Sequence, residues 1–166
     1  MKKQEIGFTL IELLIVIAII LVIAAIAIPN LLRSRIAANQ ASAVSSLRTL
    51  TTAEVTYATT YNTGYSAALS YLGPASGAGV IPNATAADIV DVVLAGTGDT
   101  SEKSGYLFTY SPGPATAGRV VSYTIHGDPI TRGITGYNSY FVDESGVIRE
   151  NTSGTQATSS DSPLAG

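Results

Sequence analysis

From Phe8 to Ile28 the sequence reads FTLIELLIVIAIILVIAAIAI, a run in which Thr9 and Glu12 carry the only polar side chains. At about 1.5 Å per residue in a helix this run spans roughly 30 Å, the hydrocarbon thickness of a bilayer. It is apolar on every face and free of glycine, which excludes a water-exposed amphipathic helix. Such a segment lies in lipid or inside an assembly. It also partitions the chain, because the remainder of the 166 residues suffices for one small folded domain. A carboxylate inside a membrane-length run is unfavourable enough to mark a functional position, and Glu12 is that residue.

Three readings of the segment compete on the residues alone. A cleaved secretory signal would use the basic start at Lys2 and Lys3 and the small-x-small site Ala25-Ile26-Ala27, but the run exceeds the usual length of a signal core and Glu12 interrupts it. A plain signal anchor fits the length and gives Glu12 no role beyond snorkelling to water. Charge asymmetry does not orient the anchor, since Arg33 and Arg35 on one side balance Lys2 and Lys3 on the other.

The third reading rests on Gly7-Phe8-Thr9-Leu10-Ile11-Glu12, preceded by the basic leader and followed by the apolar run and Pro29. This stretch resembles the class III signal of type IV prepilins and of the related type II secretion pseudopilins. The resemblance implies a leader peptide of residues 1–7. A membrane-embedded prepilin peptidase would cut Gly7–Phe8 on the cytoplasmic side and methylate the new amine of Phe8. It further implies that Glu12 pairs with the Phe8 amine of a neighbouring subunit and so sets register during assembly. The expected protein is a single-pass inner-membrane subunit with its C-terminal domain outside the cytoplasm, later polymerised into a surface pilus. Its expected partners are itself, the peptidase/methyltransferase, the assembly machinery and membrane lipid. The alternatives are a type II secretion pseudopilin in a periplasmic filament and a membrane-anchored extracytoplasmic binding domain.

Beyond the apolar run, Pro29 removes one backbone donor, and a kink or local unwinding is expected there. Residues 29–62 read as the amphipathic half of one long helix over 8–62. Ile36, Gln40, Ala43, Leu47, Leu50, Glu54, Tyr57 and Tyr61 recur at spacings of four and three and form the stripe expected to pack on the domain. Gly64 is the expected C-terminal cap. Residues 63–104 form a loop-rich connection with Gly73-Pro74, Gly77, Gly79 and Pro82. Short helices are expected at Ser66–Leu72 and Ala86–Leu94, with Asp88 in the first turn of the second.

Residues 105–150 carry strand signals at Tyr106–Ser111, Arg119–His126, Tyr137–Val142 and Val147–Arg149, with Asp143-Glu144-Ser145-Gly146 as a hairpin turn. One sheet face should meet the helix and the other water. The tail 151–166 has few apolar residues and should be flexible or lightly docked. The expected fold is therefore α+β, a long N-terminal hydrophobic helix packed on a C-terminal antiparallel sheet of about four strands, which resembles the pilin fold.

Signals for other chemistry are sparse. Cysteine is absent, so disulfides, a thiol nucleophile and a lipoprotein anchor are excluded. His126 is the single histidine, and a strand-surface role outweighs a catalytic one; the protein is not expected to be an enzyme or to need a cofactor. Asp143 and Glu144 beside Ser145-Gly146 offer oxygens to calcium, yet a solvated hairpin tip explains them equally. The formal charge of −3 argues against nucleic acid as a partner. Asn83-Ala84-Thr85 and Asn151-Thr152-Ser153 match the N-glycosylation pattern.

Overall fold

The structure is a computed structural model that describes residues 8–75 and 81–164. The leader with Gly7, and the loop glycines Gly77 and Gly79, lie outside the described residues. The chain forms two compact units, Met1–Arg35 and Ile36–Gly166.

Helix α1 runs from Leu10 to Tyr61. The helix carries an 18-residue window of mean hydropathy 3.3, none of it buried. In the first unit the large apolar side chains of the run are open, from Leu10 at 81% exposure to Ile28 at 65%, and Ala24 is half-buried. Pro29 sits inside α1 with helical residues on both sides, so no unwinding accompanies it. One missing i→i−4 bond is outweighed by the intact turns that flank it.

In the second unit the stripe packs as its spacing requires. Ile36, Ala43, Leu47, Leu50, Glu54 and Tyr57 are buried, while Gln40 and Tyr61 are half-buried. Leu47 and Leu50 are completely enclosed, and each such leucine contributes about 1.5 to 3 kcal/mol by leaving water. The helix ends one residue earlier than expected and by a different cap. Asn62 takes the left-handed conformation at φ 55° and returns its N–H to the Ala58 carbonyl at 3.1 Å. Gly64, at φ 80°, serves another purpose: a Cβ there would lie 2.1 Å from the Val120 carbonyl oxygen, so glycine is what lets the chain cross against Val120.

The connecting region is better ordered than its composition suggests. A 3₁₀ turn spans Leu69–Leu72, and α2 is the single turn Val92–Ala95. Asp91, not Asp88, caps α2, accepting from the amides of Val93 and Leu94. Asp88 instead occupies a left-handed position at φ 55° outside the helix. The amides of Ile89 and Val90 both donate to the Leu72 carbonyl, which seats Leu72, Val90 and Leu94 in the core.

The sheet is antiparallel and has six strands in the order β1-β2-β5-β6-β7-β8, with a separate β3-β4 hairpin. The strands are β1 Thr100–Lys103, β2 Tyr106–Pro112, β3 Ala115–Thr116, β4 Arg119–Val120, β5 Tyr123–Pro129, β6 Ser139–Asp143, β7 Arg149–Asn151 and β8 Ser162–Pro163. The count of four is thus corrected to six. The run Arg119–His126 splits between two strands, and the polar β1 joins through a Ser104-Gly105 turn in which both residues have positive φ. Tyr106, Phe108 and Tyr110 of β2 and Tyr123 and Ile125 of β5 are buried on the helix side.

The outer face is not left to water. The tail folds over it: Ala157 is fully buried, Gln156 Nε2 donates to Asp128 Oδ2 at 2.7 Å, and Arg149 donates to the Asp161 carbonyl at 2.9 Å. β8 then closes the sheet edge against β7. Polar hydrogen bonds dock this segment, a source of order that a count of apolar residues does not register.

Candidate functional site

The start of α1 carries the candidate site. Thr9 precedes the first helical residue, and Glu12 lies three residues further on. The Thr9 N–H donates to Glu12 Oε2 at 2.9 Å, the Thr9 hydroxyl donates to the same oxygen at 2.6 Å, and the Glu12 N–H donates to Thr9 Oγ1 at 3.3 Å. This reciprocal pair is a capping box, which satisfies two helix donors that would otherwise face hydrocarbon or an apolar neighbour unpaired. The carboxylate is thereby held at the N-terminal end of the helix, where the helix dipole also favours negative charge. Among the described residues Oε1 receives no hydrogen bond. Phe8, the residue before the cap, is 85% exposed. Sequence reasoning singled out Glu12 and Phe8 but passed over Thr9, although Thr9-Leu10-Ile11-Glu12 has the S/T-x-x-E spacing that announces such a box.

Other sequence candidates resolve into structural roles. His126 packs edge-on to Phe141, with ring centroids 5.2 Å apart. Asp143 directs Oδ1 to the backbone N–H of Ser145 at 3.0 Å, and Gly146 donates to the Asp143 carbonyl at 2.9 Å, so the four residues form the expected turn. Among the described residues no three His, Cys, Asp or Glu side chains converge. Asn83 accepts from the Thr85 hydroxyl at 2.7 Å, and Asn151 donates to Asp161 at 2.9 Å. Tyr57 and Tyr61 stand 4.9 Å apart between ring centres, and the Tyr57 hydroxyl donates to the Ala84 carbonyl at 2.6 Å.

A second carboxylate of α1, Glu54, is fully buried without a cation among the described residues. The Ser66 N–H donates to it at 2.9 Å and the Ser66 hydroxyl at 2.6 Å, while Tyr110 donates to the Ser66 carbonyl at 2.7 Å. Burial pushes the Glu54 carboxyl up from its ordinary value, and the Ser66 bonds offset part of that rise.

An exposed, membrane-length helix whose capped start holds one carboxylate fits membrane anchoring. In agreement, the prokaryotic N-terminal methylation motif matches residues 2–28. The type IV major pilin protein PilA of Myxococcus xanthus (strain DK1622) is 49% identical over 51 residues, which are 31% of this chain and 23% of that protein. The matched part of the chain thus spans about a quarter of that relative's length. These matches are a likeness to the prepilin-type N-terminal motif and, over part of the chain, to one type IV pilin. No solved structure matches the chain.

Proposed function

We propose that this protein is a structural subunit of a type IV pilus, anchored in the inner membrane by α1 before assembly and polymerised through the same helix afterwards. The observation that carries the reading is the pairing of an exposed apolar helix with a single carboxylate held at its first turn. Cleavage at Gly7–Phe8 creates an ammonium one residue before the Thr9 cap, and methylation keeps its positive charge. Thr9 bonds occupy Oε2 of Glu12, which leaves Oε1 for the Phe8 ammonium of an incoming subunit. In an apolar filament core an unpaired charge is strongly disfavoured, so the contact rejects subunits placed out of register. Repetition of one heterologous contact extends a filament rather than closing a ring.

On this reading the protein performs no catalysis and holds no cofactor. Its partners are further copies of itself, the peptidase/methyltransferase and the assembly machinery. Surface filaments sheared from intact cells and analysed by intact mass test the proposal. A long surface fibre built of chains beginning at N-methylated Phe8 is expected. Processed chains confined to a short periplasmic filament would assign the protein to secretion as a pseudopilin, and unprocessed chains starting at Met1 would make it a membrane-anchored domain.

A further inference from the structure

The apolar side chains left open on the second unit are not evenly spread. Ile130, Ile134 and Tyr137, at 50%, 60% and 53% exposure, belong to the single connection between β5 and β6. That connection sits at the end of the unit where the chain arrives from the apolar run. The Asn39 amide donates to the Thr135 carbonyl at 2.9 Å, Ile130 N–H donates to the Gly105 carbonyl at 3.0 Å, and the Ser42 and Ser104 hydroxyls meet at 2.9 Å. Asn39 follows Arg35 by four residues, about one turn of helix.

Charge separates this loop from the rest of the unit. Residues 36–166 hold ten acidic and five basic side chains, a formal charge of −5. From Pro129 to Val142 the only full charge is Arg132. Its exposed guanidinium donates to the Tyr137 carbonyl, to Ser139 Oγ at 2.8 Å and to the Thr155 carbonyl, which stiffens the loop. The acids that flank the stretch lie outside it: Asp128 accepts from the Gln156 amide, and Glu150 from the Asn138 amide at 2.6 Å. Of the other open apolar side chains, Val92 and Val93 lie beside Asp88 and Asp91, while Val55, Ile81, Val121 and Val147 are isolated from one another in sequence.

We propose that the Ile130–Tyr137 loop docks on the membrane interface, with Ile130, Ile134 and Tyr137 among phospholipid headgroups and Arg132 facing their phosphates. Isoleucine with tyrosine suits the zone where an apolar body and a polar tip are both satisfied, and a cation in a stretch that itself holds no acid suits an anionic leaflet. The loop thus holds the subunit's folded unit against the bilayer before assembly. The inference rests on the membrane-anchored reading of α1.

The chain contains no tryptophan and no cysteine, so single-probe variants report one position each. Full-length Ile134→Trp, Val121→Trp and Ile20→Trp are placed in vesicles of mixed zwitterionic and anionic phospholipid, with and without bromine high on the acyl chains. Ile20→Trp should be strongly quenched, and Ile134→Trp should show blue-shifted emission with quenching about twofold stronger than Val121→Trp. A spin label on Ile134→Cys should favour oxygen over a nickel chelate relative to one on Val121→Cys, which secures the result if tryptophan perturbs the loop. Equal quenching at 134 and 121, with Ile20→Trp quenched, overturns the docking proposal alone. An unquenched Ile20→Trp overturns the membrane reading beneath it. A blue shift at 134 that ignores bromine and grows with protein density assigns the loop to a second copy and overturns lipid docking.

Discussion

Glu12 and Glu54 are carboxylates of one helix set in opposite surroundings. Glu12 is open and tied to its own helix start; on the filament reading it also meets a neighbour's ammonium, so Glu12→Ala should leave cleavage at Gly7–Phe8 intact and abolish filament growth. Glu12→Gln should fall between, since it keeps an acceptor without the charge. The ratio of sheared filament to processed membrane pool measures both, and normal filaments from Glu12→Ala would reduce the residue to a snorkelling carboxylate. Thr9→Val removes the cap hydroxyl and should lower the same ratio less. Glu54 instead titrates in the core. Its folded pKa is raised, so the stability tied to its proton is complete below 4.5 and is lost as pH rises through the raised value. At Asp91 burial works upward but is outweighed by the Leu94 and Val93 amides and Lys103, and Asp161 is lowered first by the Thr158 amide. These two act in the other direction, losing stability as pH falls below 3.8. Melting temperature should therefore decline from mildly acidic to alkaline pH, and Glu54→Gln should flatten that decline. An unchanged slope in Glu54→Gln would show that another group titrates there.

At the scale of elements, the helix stripe was legible because a 3.6-residue period survives whatever the helix packs against. Leu47→Asp places a carboxylate in the enclosed helix–sheet core without a partner and should cost more than about 3 kcal/mol in denaturant unfolding. The edge strands were not legible. β1 reads Thr-Ser-Glu-Lys and β8 Ser-Pro, sequences with little strand propensity, and each exists because a neighbour's backbone offers a ladder. The Ser104-Gly105 pair was the available signal for β1. The docked tail yields a prediction of its own. Ala157→Glu forces a charged side chain into a fully buried site and should cost about 1 to 3 kcal/mol, with faster exchange at the Leu164 amide that donates to Ile148. Unchanged stability and exchange would return the tail to the loosely attached segment expected from composition.

For the whole molecule, the two compact units carry separate solubility requirements. Cleavage at Gly7–Phe8, as proposed, would remove Lys2, Lys3 and Glu5 and move the formal side-chain charge from −3 to −4, which intact mass reads directly. A fragment starting at Ala37 keeps nearly all of the second unit's core and lacks the open apolar run, so it should fold as a soluble monomer while the full chain needs detergent. An unfolded fragment by circular dichroism would show that the core requires the first unit.

The membrane-length run, the N-terminal methylation motif, Glu12 and the buried stripe were written in the sequence because each depends on residues close in the chain: length of an apolar run, one helical period, a six-residue motif. Tertiary structure alone decided the rest. Whether Asp88 or Asp91 caps α2, whether Asn62 or Gly64 ends α1, how many strands the sheet holds and where the tail lies all depend on backbone groups supplied from far along the chain. A donor such as the Leu164 amide has no local signature of the Ile148 carbonyl that will satisfy it, because hydrogen-bond partners at long range are chosen by packing and not by spacing.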